Sequence, residues 1–134
     1  TWVHANAVPR IRAAIAMTEG RPEEALAELM KARFERSGLG LPFEKGKALL
    51  AAGRPDEALV EFQKVRDRKS IDPVNLVRAT TLVWMGRSYV AAGDTEAARN
   101  AYLEFLELWA DADEDIPLLQ KARSEYEALP GVRG

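Results

Sequence analysis

Residues 9–34 and 42–67 are one supersecondary unit written twice, 33 residues apart. Ten of the 26 aligned positions are identical: Pro9/Pro42, Gly20/Gly53, Arg21/Arg54, Pro22/Pro55, Glu24/Glu57, Ala25/Ala58, Leu26/Leu59, Glu28/Glu61, Lys31/Lys64 and Arg33/Arg66. A fixed period in the thirties marks an array whose units cannot bury an apolar face alone and must stack to do so. Such a scaffold works by presenting surface, so the class of activity it points to is binding.

Punctuation places the helices. Gly20-Arg21-Pro22-Glu23-Glu24 and Gly53-Arg54-Pro55-Asp56-Glu57 each end one helix and begin the next. Glycine supplies the left-handed cap, proline is tolerated in the first turn, and the acids sit at the positive end of the helix dipole. Gly93-Asp94-Thr95-Glu96 repeats the signal without proline. Behind each turn runs an apolar stripe at spacings of three and four: Ala25, Leu26, Leu29; Ala58, Leu59, Phe62; Ala98, Tyr102, Phe105. With no run of period-two β-branched residues, the class is all-α.

The spacing predicts hairpins at about 5–36 (helices 5–19 and 22–36), 42–68 (42–52 and 55–68) and 73–110 (73–92 and 95–110). A last helix is expected at about 116–129, and residues 1–134 form one domain in this reading. The turn-to-turn interval grows from 33 to 40 residues before Gly93. The excess is assigned to Lys69–Asp72 and to a longer helix opening at Asp72-Pro73, read as N-cap and first helical residue. In the last helix Leu118, Leu119, Ala122, Tyr126 and Leu129 suit a buried stripe, and Gln120, Lys121, Glu125 and Glu127 suit water. A terminal helix with one wet face closes an array, with Trp109 and Tyr126 as candidates for the closing contact.

These residues resemble tetratricopeptide repeats, through Gly-x-x-x-x-Ala recurring in register at Gly20/Ala25, Gly53/Ala58 and Gly93/Ala98. Small residues at Gly46 and Gly86, and Leu29, Phe62 and Tyr102 at the following large position, extend the likeness over about 5–110. Pro9 and Pro42 depart from the usual tryptophan, and Val65 and Phe105 are larger than the usual alanine, which bears on the tilt between hairpins. The resemblance implies an α-solenoid, a right-handed superhelix of three hairpins plus a C-terminal capping helix. A narrower resemblance runs through Gly86-Arg87-Ser88-Tyr89, Gly93–Arg99, Ala101-Tyr102, Phe105-Leu106, Trp109 and Asp113–Pro117. It is to the closing segment of bacterial repeat arrays that follow a serine/threonine kinase domain or a DNA-binding regulatory domain. That implies a docking or sensory tail of a larger signalling protein; a chain opening at Thr1 without Met or a signal-peptide layout reads as such a piece.

In the family the first helix of each hairpin lines a concave groove. Carried over, the lining is Arg10, Ala14, Met17 and Thr18; Phe43, Lys47, Leu50 and Ala51; Val83, Arg87, Val90 and Ala91. The resemblance thus implies an apolar groove with one cation per repeat, suited to a protein or peptide partner bearing carboxylates. The asparagines of the family's C-terminal-carboxylate clamp are missing. Self-association is the competing reading, with Trp2, Val3, Val8 or the open first hairpin packing on another copy as a homodimer.

Chemistry is not encoded here. His4 is the lone histidine and cysteine is absent, which excludes disulfides, thiolate metal sites and Cys–His dyads. Gly40–Ala48 has five residues between its glycines and Ala48 where a phosphate loop needs Ser or Thr. Asp111, Asp113, Glu114 and Asp115 lack the glycine and distal glutamate of a calcium loop and suit a helix start. Ser37, Ser70, Ser88 and Ser124 have no histidine partner. No catalytic residue, cofactor or metal is expected.

Charge narrows the partner further. The 19 basic and 21 acidic residues give a net −2. Residues 1–68 hold 12 basic and 10 acidic side chains (+2) and residues 69–134 hold 7 and 11 (−4). No basic excess attracts nucleic acid, and no apolar run reaches the roughly 18 residues of a membrane span. Neither feature fixes a compartment.

Overall fold

The computed structural model describes residues 8–31, 40–67, 76–112 and 114–130. Among them lie seven helices and no strand: α1 (Val8–Thr18), α2 (Pro22–Met30), α3 (Gly40–Ala51), α4 (Pro55–Asp67), α5 (Leu76–Ala92), α6 (Thr95–Leu108) and α7 (Pro117–Glu127). The expected signals at Trp2, Val3, His4, Ser37, Ser70 and Asp72-Pro73 lie outside the described residues. α2 closes at Met30, short of the expected 36, and residues 32–39 are not described. With 17 residues, α5 is the longest described helix, about 25 Å at 1.5 Å per residue.

Three turns repeat one geometry. Gly20, Gly53 and Gly93 take φ of 75°, 78° and 83°, which L side chains rarely adopt. The glycine N–H groups donate to Met17, Leu50 and Val90 carbonyls, and the following Arg21, Arg54 and Asp94 N–H groups reach back to Ala16, Leu49 and Tyr89. This is the Schellman closure, and it turns each chain reversal into a tight antiparallel hairpin. α2 starts on Pro22, whereas Asp94 accepts a hydrogen bond from Ala97 N at 3.1 Å to cap α6. Arg21–Glu24 and Arg54–Glu57 ion pairs repeat across the first two turns.

The hairpins α1/α2, α3/α4 and α5/α6 stack in chain order: α2 packs on α3, α4 on α5, α6 on α7, and α3 also touches α5. This is an α-solenoid of helical hairpins. Its core runs as a seam in three overlapping clusters. Ala13, Ala16, Ala25 and Leu29 enclose Ala48 of the next hairpin; Leu49, Ala58 and Phe62 enclose Met85; Val83, Ala98, Tyr102 and Phe105 meet Leu119 and Ala122 of α7. Leu26 and Tyr89 each touch two clusters and join them.

Helix approach is set by size matching. Where Gly46 faces the Phe62 ring and Gly86 faces Tyr102, the first hairpin has Ala13 in the same cluster as the smaller Leu29. A larger opposing side chain requires a smaller residue across from it.

The closing contact includes both expected rings, at its edge. Leu119 and Ala122 form its buried part, while Trp109 and Tyr126 are half-buried at its edge, with Trp109 5.0 Å from the Phe105 ring centroid. Two bulky rings at the end of a stack cover the seam laterally; the close approach of α7 needs the small Ala122.

Candidate partner-binding groove

Helices α1, α3 and α5 carry the expected groove positions, and the structure gives their three cations unequal roles. Arg10 Nε and Nη2 donate to Glu44 Oε2 and Oε1 at 3.0 and 2.9 Å, a two-pronged pair linking α1 to α3. The bond to Glu44 raises the Arg10 pKa against the opposing effect of burial. Arg87 Nε and Nη2 donate to Glu125 Oε1 and Oε2, both at 2.8 Å, linking α5 to α7. Tyr102 Oη donates to the same Glu125 Oε1 at 2.9 Å.

Glu125 was expected to face water; it instead accepts three hydrogen bonds between helices. Burial pushes its carboxyl pKa up, and the bonds from Arg87 and Tyr102 together outweigh that and hold it below the usual value. Burial, and then the charge of Glu125, push the Tyr102 hydroxyl well above its ordinary value. Arg87 and Arg10 are therefore committed to internal carboxylates.

Lys47 is different. Among the described residues it has no carboxylate partner; its Nζ lies 4.9 Å from the Phe43 ring centroid and 5.9 Å from that of Trp84. Arg87 stacks on Trp84 too, at 4.7 Å, so one indole has two cations near its ring. Phe43, Phe62 and Trp84 form an aromatic group, with Phe43 edge-on to Trp84 at 6.3 Å and 86°. At the middle seam, cation–aromatic contact stands where the flanking seams have ion pairs.

A cleft of about 290 Å³ opens between α1 and α3, lined by Arg10, Ala13, Ala14, Met17, Thr18, Leu29, Glu44 and Lys47. It brings Arg10, Met17 and Lys47 together. Phe43 lies beneath Lys47, and Leu50 is half-buried against the middle core. Val90 is exposed farther along α5. Val83 is a correction: it is fully buried, in one core cluster with Leu119 and Ala122 of α7. Glu44, Trp84 and Glu125 were missed. A signal existed, since Arg10 and Glu44 are opposite charges 34 residues apart, one repeat plus one.

A tetratricopeptide-repeat family model matches residues 80–112, and a second matches 45–64. These matches support a tetratricopeptide-repeat domain. They cover most of α5 with all of α6, and the larger part of α3 and α4. No curated protein matches the chain. Tetratricopeptide repeats generally mediate protein–protein interactions and are generally non-catalytic. Among the described residues no group of three His, Cys, Asp or Glu side chains is placed to hold a metal ion, and no helix is long and apolar enough to cross a membrane.

Proposed function

We propose that this chain is a non-catalytic docking module that takes an extended or helical peptide segment in the cleft between α1 and α3. An apolar side chain of the partner rests on Ala14 and Met17, and a partner carboxylate meets Lys47. The observation that carries this reading is the inequality of the cations: Arg10 and Arg87 are neutralised from within, and Lys47 lies on aromatic rings with no described carboxylate. A cation held that way keeps its charge available to an incoming anion.

The module serves, in this reading, as the docking or sensory tail of a larger bacterial signalling protein of the kinase-associated kind. The motifs from Gly86 to Pro117, which span α5, α6 and the entry to α7, support that context. Net charge of −2 and internal pairing of the arginines favour a protein over a nucleic-acid partner.

The test is selection of binding peptides from a random display library, followed by titration against the wild type and Lys47→Glu. Enrichment of acidic, apolar-flanked peptides whose affinity falls at least about tenfold in the variant supports the proposal. Enrichment of basic peptides, or equal affinity for both proteins, contradicts it.

A further inference from the structure

Among the described residues, the first hairpin carries a seam with no helix in it. α3 receives α2 and α5 receives α4, and the receiving positions recur at offsets of 33 and 40 residues. Ala48 and Ser88 are fully buried there, yet their counterpart Ile15 is 50% exposed. Met85 is buried and Lys45 half-buried where Arg12 is exposed; Glu44 and Trp84 are half-buried where Ile11 is 59% exposed. Two isoleucines one turn apart thus project from one face of α1.

Beside them lies a hollow of about 320 Å³ between α1 and α2, with Ile15, Ala16 and Ala27 in its wall and Arg12, Arg21, Glu24 and Glu28 around it. A protruding Ile11 and a hollow on one surface, ringed by two charges of each sign, make that surface complementary to itself. Arg12 has no ion-pair partner among the described residues. The other end of the array is unlike it: Gln120, Lys121, Arg123, Ser124 and Glu127 face outward on α7. Among the described residues the outward face of α7 is thus polar where that of α1 is apolar, which disfavours joining head to tail, and a two-fold contact is the closed solution.

We propose that a second copy of this chain covers the open face of α1 and α2. Ile11 of each protomer enters the partner's hollow, and Arg12 meets the partner's Glu24. The contact lies apart from the α1–α3 cleft, so it stands or falls separately from peptide binding.

Sedimentation equilibrium over the roughly micromolar to millimolar range tests it. The expected wild-type mass approaches twice the 14.8 kDa protomer mass as concentration rises. Ile11→Glu and Ile15→Glu, with unchanged helical circular dichroism, each weaken association about tenfold or more. Arg12→Glu weakens it as well, and adding Glu24→Arg restores part of the loss. A strict monomer across the range overturns the proposal and leaves the face to a helix from outside these residues. A dimer that survives both isoleucine changes overturns it too, since the contact then lies elsewhere.

Discussion

Gly46 lies directly under the Phe62 ring, so close that a Cβ at position 46 would fall 2.4 Å from Cε1 of the phenylalanine. The same relationship recurs between Gly86 and Tyr102, at 2.7 Å. Each glycine lets the two helices of a hairpin meet at backbone distance.

In a free helix Gly→Ala favours folding by about 1 kcal/mol. At this contact the sign reverses: Gly46→Ala should cost about 1–3 kcal/mol, because Phe62 is fully buried and has nowhere to move. Combining it with Phe62→Leu should recover part of that loss, reproducing the Ala13 and Leu29 combination of the first hairpin. Urea unfolding of the two single variants and the double variant gives the coupling. Simple additivity would mean that the glycine is not set by the ring.

Ala58 and Ala98 are fully buried where the second helix of a hairpin meets its neighbours. Arginine at either position puts an unpaired charge into a packed seam, a cost of about 3 kcal/mol or more. Thermal unfolding should show a large loss for both, and a variant that melts with the wild type would contradict the packing.

Glu125 ties the closing helix to the array. Glu125→Gln should cost about 1 kcal/mol, since Arg87 loses its ionised acceptor while the amide keeps part of the hydrogen bonding. The carboxyl has a lowered pKa in the folded chain, so its stabilising contribution is complete above the unfolded value near 4.5 and is lost as pH falls through the lower folded value. Denaturant midpoints of wild type and variant should therefore differ at pH 7 and converge in acid. A gap that widens on acidification would give the wrong sign.

Arg87 and Lys47 should separate cleanly under charge reversal. Arg87→Glu sets two carboxylates against each other beside Tyr102 and should lower the melting temperature, whereas Lys47→Glu should leave it nearly unchanged. Equal losses in the two variants would mean that Lys47 has a structural role like that of Arg87.

The hairpins and their turns were legible because their causes are local. A glycine that must take positive φ, a proline at a helix start and an alanine five residues after the glycine all act within one turn of chain. The roles of Glu125 and Val83 were not legible. Period arithmetic on α7 alone assigns Glu125 to water, and only the docking of α7 brings it within 2.8 Å of Arg87. Val83 matches a groove position in the repeat register, yet it is buried in one cluster with Leu119 and Ala122 of α7. What a position does in a solenoid depends on which side chains of the next element pack against it, and no single repeat encodes that.

The most direct measurement is amide and methyl chemical-shift mapping of the intact chain titrated with a selected acidic, apolar-flanked peptide. Docking in the α1–α3 cleft predicts saturable shifts concentrated at Ala14, Met17, Thr18 and Lys47, with α4 and α6 unmoved. Shifts centred on α4 and α6, or none at saturating peptide, would contradict it.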